Sequence, residues 1–163
     1  MYELDLGLAV LRVVVGLTFA AHGLQKARSL DGTAGWFDSM GMRPGRLHAR
    51  LAAGTEIGAG VLLALGLLTA FAGAGMVGVM VVAGYTVHRG TFFIVKNGWE
   101  YNLILAVIGV SLATTGPGGW SLDDVIGIDL DGIAGLAIAL VGGVGGGAAQ
   151  LAAFYRPAVG SDA

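Results

Sequence analysis

The 163-residue sequence contains no cysteine and only three prolines. The first absence excludes disulfides, cysteine-based metal sites, c-type haem attachment and a thiol nucleophile within this chain. The shortage of proline, with no G-X-Y period, excludes a collagen-like chain despite 30 glycines. Charge is scarce as well: Asp, Glu, Lys and Arg make up 12%, where soluble proteins carry ~25%. A net charge of −2 leaves no basic surface for nucleic acid. Low charge combined with high hydrophobicity also excludes disorder. What remains is apolar, with 55% hydrophobic residues and a mean hydropathy of +0.78. A soluble domain of this size has no core large enough to hide so much apolar surface, whereas a lipid bilayer accepts it. The chain therefore reads as an all-α, polytopic transmembrane helix bundle.

A membrane-spanning helix needs about 20 mostly apolar residues. Five stretches meet this condition: Leu6–Ala27, Leu47–Leu67, Thr69–Val87, Trp99–Thr115 and Ile133–Phe154. The second and third are nearly continuous, which requires a tight hairpin at Leu67–Phe71. Ala34–Met42 reads as a short amphipathic piece, broken by Met42-Arg43-Pro44-Gly45. The first stretch is too long for a signal-peptide core and lacks a basic leader, so it is expected to be retained.

Lys26, Arg28, Arg43, Arg46 and Arg50 cluster around the first loop, Arg89 and Lys96 in the third, and Arg156 after the fifth span. Basic residues collect on cytoplasmic loops. The expected topology has the amino terminus outside and the carboxyl terminus in the cytoplasm of a bacterium, with the protein in its plasma (inner) membrane. The acidic loop Asp123, Asp124, Asp129 and Asp131 then lies outside, read as a solvated run. Trp36, Phe37, Phe92, Phe93, Trp99 and Tyr101 fall near the inner interface and Trp120 near the outer one. They form either an aromatic belt or, in part, the mouth of a ring-binding pocket.

Ionisable groups inside spans are costly and mark functional candidates. Arg12 lies in the outer half of the first span, roughly 21 Å from its inner end at about 1.5 Å per residue. Two readings compete for it. It reaches the outer headgroups or pairs with Glu3 or Asp5, or it faces the bundle and holds an anionic or carbonyl-bearing ligand. Ser111 and Thr114 reach its depth and are expected to share its donors. Lower in the bundle, His22 and Lys26 share one helix face, four residues apart. Glu56, His88, Glu100 and Asn102 fall at the same level from three further helices. These groups form either a helix-locking polar network or a pocket that handles protons or binds a ligand. With three histidines in the chain, and His48 placed in the basic loop, haem ligation is set aside. No Glu-x-x-His spacing suggests a di-iron site, and no metal is assigned. Gly143-Val144-Gly145-Gly146-Gly147-Ala148 matches a dinucleotide fingerprint only on paper, because no strand precedes it. The pairs Gly142/Gly146, Gly143/Gly147 and Gly54/Gly58 instead suit close helix packing.

Taken in order, Arg12 with His22-Gly23-Leu24-Gln25-Lys26, Trp36-Phe37 then Gly41, Pro44, Glu56-Ile57-Gly58-Ala59-Gly60, Glu100-Tyr101-Asn102-Leu103 and Gly116-Pro117-Gly118 with Ser121-Leu122-Asp123 resemble the DoxX/DoxD-like membrane protein family. The resemblance spans roughly residues 8–125. It implies a four-helix membrane domain over residues 1–125; the fifth transmembrane helix expected from hydropathy departs from that minimum and lies in 126–163 with the acidic loop and a short cytoplasmic tail. It also implies redox metabolism, since some members resemble membrane subunits of thiosulfate:quinone oxidoreductases and others associate with soluble enzymes of oxidative stress and sulfur metabolism. On that reading the cofactor is a quinone-like lipophilic ligand. His22 and Glu56 relay protons as the catalytic pair, and Arg12, Lys26, Trp36, Phe37, Glu100, Tyr101 and Asn102 bind. A soluble oxidoreductase on the cytoplasmic face supplies electrons, and the chain forms homo- or hetero-oligomers. The alternatives are a non-catalytic scaffold docking soluble oxidoreductases and a small-molecule or proton-coupled transporter gated by Glu56.

The topology makes the first prediction. A reporter fused to the carboxyl terminus is expected to be active only in the cytoplasm, and activity on the outer face would remove the five-span arrangement.

Overall fold

The structure is a computed structural model that describes residues 2–157. It contains seven helices: α1 (Tyr2–Arg28), α2 (Leu30–Ser39), α3 (Gly45–Leu65), α4 (Thr69–Thr86), α5 (Glu100–Thr115), α6 (Leu122–Ile126) and α7 (Gly132–Phe154). The middle of α7, Ile138–Gly145, is wound as a π-helix. The architecture is the expected all-α membrane bundle, with each of the five expected spans present as a helix. By length and composition, α1, α4 and α7 can cross a membrane. Helix α5 is apolar but only 16 residues long. Helix α3 has 21 residues but carries Arg46, Arg50 and Glu56. Residues 158–163, part of the expected cytoplasmic tail, lie outside the described residues.

The bundle is assembled through glycine. On α1, Arg12, Gly16, Phe19, Ala20 and Gly23 are buried on one face, at the i, i+3/i+4 spacing that lines up side chains on a helix. That face lies against α3. A methyl group on Gly60 would sit 2.5 Å from Gly16 O and from Ala20 N, and one on Gly23 would sit 2.7 Å from Ile57 N. Both contacts tolerate only hydrogen, so the backbones touch. Gly73 meets Gly109 O in the same way between α4 and α5, and Gly143 and Gly147 pack on Val77 and Gly78 of α4. The Gly143/Gly147 pair thus packs as expected. Gly54 and Gly58 do not: a methyl on either would meet nothing within 4 Å. The small residue that α3 uses is Gly60. Phe19, Leu63, Met76, Met80, Leu105 and Leu112 fill the space between α1, α3, α4 and α5.

The end of the bundle holding Arg12 is closed by two opposite charges at the α3–α4 hairpin. Helix α3 stops at Gly66, whose φ of 63° suits glycine. Its terminal carbonyls present negative partial charge, and a cation there is stabilising. Arg12 supplies it, donating from Nη1 to Ala64 O at 2.7 Å. Its Nε donates to Pro117 O at 3.2 Å, and Nη2 donates to Trp120 O. Arg12 therefore faces the bundle, and it bonds the backbone rather than Glu3, Asp5, Ser111 or Thr114. Asp5 instead accepts from Gly119 N at 2.8 Å, and the Thr114 hydroxyl donates to Val110 O.

Asp123 makes the complementary contact at the start of α4. Its carboxylate accepts from Leu68 N at 2.7 Å, Thr69 N at 3.0 Å and the Thr69 hydroxyl at 2.8 Å. The Asp123 backbone N–H also donates to Gly66 O at 2.8 Å. Asp123 is 3% exposed, which corrects its assignment to a solvated acidic run. The sequence pattern could not separate one capping aspartate from three ordinary ones. Asp123→Ala removes three carboxylate hydrogen bonds and leaves α4 uncapped. It is expected to cost about 3 kcal/mol or more, read as a lower unfolding midpoint of the purified protein in detergent. Asp124→Ala should leave that midpoint unchanged.

Candidate functional site

At the opposite end of the bundle, α1 and α3 touch again, and the contact positions two charges. Gly23 lets α1 approach until an added methyl group would lie 2.8 Å from Glu56 Cβ. Lys26, three residues on, is on the same face. Its ammonium donates to both carboxylate oxygens of Glu56, at 2.9 and 2.7 Å. The Glu56 side chain is 5% exposed and that of Lys26 24%. His22 lines the same cavity as the pair.

The pair opens into a cavity of about 340 Å³, within the range of about 300–1,000 Å³ for small-molecule sites. Its walls come from α1 (Phe19, His22, Lys26), α2 (Trp36, Phe37), α3 (Thr55, Glu56), α4 (Met80, Thr86), the segment after α4 (His88), α5 (Tyr101, Asn102) and α7 (Gln150). Seven of the nine residues singled out from sequence thus line one cavity: His22, Lys26, Trp36, Phe37, Glu56, Tyr101 and Asn102. Two lie elsewhere. Arg12 is at the far end of the bundle in the hairpin lock. Glu100 is outside the cavity and accepts from Ile94 N at 3.1 Å, closing the α4–α5 loop.

Several aromatic side chains separate in the same way. Trp36, Phe37 and Tyr101 reach the cavity. In the α4–α5 loop Phe92 meets Phe93 and Trp99 edge-to-face, with centroids 5.2 and 4.9 Å apart.

Two residues of this region escaped the sequence reading. His48, placed in a loop, is in the first turn of α3 and fully buried. Its ring meets Phe154 edge-on at 5.0 Å, and its Nδ1 lies 2.9 Å from Nε2 of Gln150. Gln150 is the second. A single amide in a run of glycine, alanine and leucine is the signal that the sequence offers for it. Both side chains come together because the end of α7 is fastened to the α2–α3 loop. Arg43 N donates to Phe154 O at 3.2 Å, and Arg156 N donates to Gly41 O at 2.7 Å.

Chemically, the cavity offers an ion pair, two imidazoles, two amides and aromatic faces within an apolar shell. Lys26 has a third N–H beyond the two given to Glu56, available to an oxygen in the cavity. Removing one partner of a buried pair leaves an uncompensated charge, whereas removing both does not. Lys26→Met is therefore expected to destabilise the protein by about 3 kcal/mol or more, with Lys26→Met/Glu56→Gln recovering most of the loss in detergent thermal unfolding. Equal losses in the two variants would show that the pair is not coupled.

The chain is similar to known proteins over much of its length. The DoxX family model matches residues 7–89, which contain Arg12, His22, Lys26 and Glu56. A protein of Bacillus subtilis (strain 168) named "Putative oxidoreductase CatD" is 32% identical over 122 residues, covering 75% of this chain and 88% of its own. Uncharacterized membrane protein Rv3486 of Mycobacterium tuberculosis is 33% identical over 127 residues, covering 69% of this chain and 77% of its own. No solved structure matches the chain. With half of its length matched by the family model and the charged helices α1 and α3 inside that match, the chain belongs to the DoxX family of membrane proteins.

Proposed function

We propose that the chain binds a quinone-class, lipid-soluble carrier in the cavity beside the Lys26–Glu56 pair, and that a soluble oxidoreductase supplies the electrons. The observation that carries this reading is the cavity itself. It sets one buried ion pair with a spare ammonium N–H against aromatic faces within a largely apolar lining. Quinone reduction takes two electrons from the partner and two protons. The lysine N–H is suited to hydrogen-bond a quinone carbonyl oxygen. His22 and Glu56 are suited to relay protons to the oxygens as charge arrives, the Glu56 carboxylate first taking up the proton that it passes on. Trp36, Phe37 and Tyr101 offer stacking faces for the ring.

The cavity also suits a ligand with a hydrocarbon tail. Thr55, Val79 and Gln150 border both the cavity and an apolar groove of about 630 Å³ between α3, α4 and α7. A ring seated beside the ion pair has a lipid-facing course for its tail. The electron donor is assigned to the side bearing Arg43, Arg46 and Arg50, all exposed. Because basic residues collect on cytoplasmic loops, they support assigning that side to the cytoplasm, with the protein in the plasma membrane of a bacterium. The description of a relative as an oxidoreductase supports the redox assignment.

The test is binding of decylubiquinone to the purified protein in lipid nanodiscs, read from quenching of tryptophan fluorescence. Glu56→Gln should weaken binding by about tenfold or more, measured on the folded fraction of the purified variant. Undiminished binding in that variant would falsify the pocket assignment.

A further inference from the structure

The cavity wall carries two amide groups whose carbonyl oxygens have no donor among the described residues. Asn102 is 7% exposed, and its Nδ2 lies 3.6 Å from the Met80 sulfur, a weak acceptor. Its Oδ1 is buried with no hydrogen-bond partner. Gln150, across the cavity on α7, uses its Nε2 on Nδ1 of His48 at 2.9 Å. In this geometry a neutral imidazole accepts the amide N–H, which leaves Oε1 as the free end of the amide. A desolvated acceptor without a donor is costly, and packing does not explain Asn102 Oδ1; Gln150, half-buried on the facing helix, presents a second acceptor to the same cavity.

What both oxygens lack is the same thing, an O–H or N–H. A quinone ring brings only carbonyl oxygens, whose lone pairs meet those of the amides. A quinol brings two hydroxyl groups. One donates to Asn102 Oδ1 and the other, across the ring, to Gln150 Oε1, while a hydroxyl oxygen accepts from Lys26. Resting on the quinone-class reading above, we propose that the cavity selects the reduced, hydroxyl-bearing carrier, with Asn102 and Gln150 as the specificity-determining residues and His48 as the positioning residue that fixes the Gln150 amide. His48 does not line the cavity, so its effect is exerted through Gln150.

The proposal is tested with decylubiquinol and decylubiquinone, measured anaerobically against the same protein in nanodiscs. The wild-type protein is expected to bind the quinol about tenfold or more tightly than the quinone, as for loss of one hydrogen bond to a desolvated acceptor. Asn102→Leu and Gln150→Leu should each shrink that ratio toward one by weakening the quinol alone. His48→Phe should shrink it as well, because the Gln150 amide is then free to rotate. Asn102→Asp, which keeps an acceptor, should retain the preference and covers the case in which Asn102→Leu fails to fold. A merely structural role would weaken both ligands equally and leave the ratio unchanged, which overturns the proposal. Equal or tighter binding of the quinone to the wild-type protein also overturns it, while the quinone-class reading survives. Binding of neither ligand removes both.

Discussion

The hydrogen bonds from Arg12 to three backbone carbonyls govern the arrangement of this bundle. A guanidinium cannot shed its charge and needs several acceptors at fixed angles. Here the acceptors come from the last turn of α3 and from the segment after α5. The bonds therefore join three parts of the chain that are far apart in sequence. Asp123 completes the arrangement with the opposite sign at the start of α4. The sharp α3–α4 hairpin is stable because each of its open helix ends meets a charge of the right polarity. This network consumes the one arginine that looked most like a ligand clamp.

The second constraint is steric. Glycine at positions 16, 23 and 60 lets α1 and α3 touch backbone to backbone, and the same approach delivers Lys26 to Glu56 within hydrogen-bonding distance at both oxygens. The glycine, the histidine beside it and the lysine three residues on therefore act as a unit. The glycine brings the helices together, the lysine neutralises the glutamate, and the histidine stands at the cavity edge. Any larger side chain at position 23 would separate the pair before it altered the pocket chemistry.

Much of this was legible in the sequence because the membrane punishes charge. A buried Glu56 needed a partner, and helix periodicity put Lys26 and His22 at its level. The spans followed from hydropathy, and their ends from basic residues, glycine and proline. Arg12 was less tractable. Its partners are backbone carbonyls, which carry no residue identity, so no reading of side chains would have found them. Asp123 was hidden among three other aspartates for a similar reason, since a capping role is set by backbone geometry. Glu100 shared the correct depth with the cavity residues but points to the loop, and depth alone does not fix the face of a helix. Gln150 and His48 depended on how α7 docks on the α2–α3 loop, a long-range pairing that local pattern does not encode.

Because Arg12 and Lys26 sit on one unbroken helix, the hairpin lock and the ion pair share a single rigid rod. The two anchors are roughly 21 Å apart at about 1.5 Å per residue. Sliding α1 along α3 by one turn would break every bond at both ends together and drive the glycine contacts into larger residues. Rotation about its own axis meets the same obstacle. The helix that carries the charged side of the pocket is thus held in register from both ends, like a bolt through two plates. Trp36 and Tyr101 face the same cavity from α2 and α5, outside that rod.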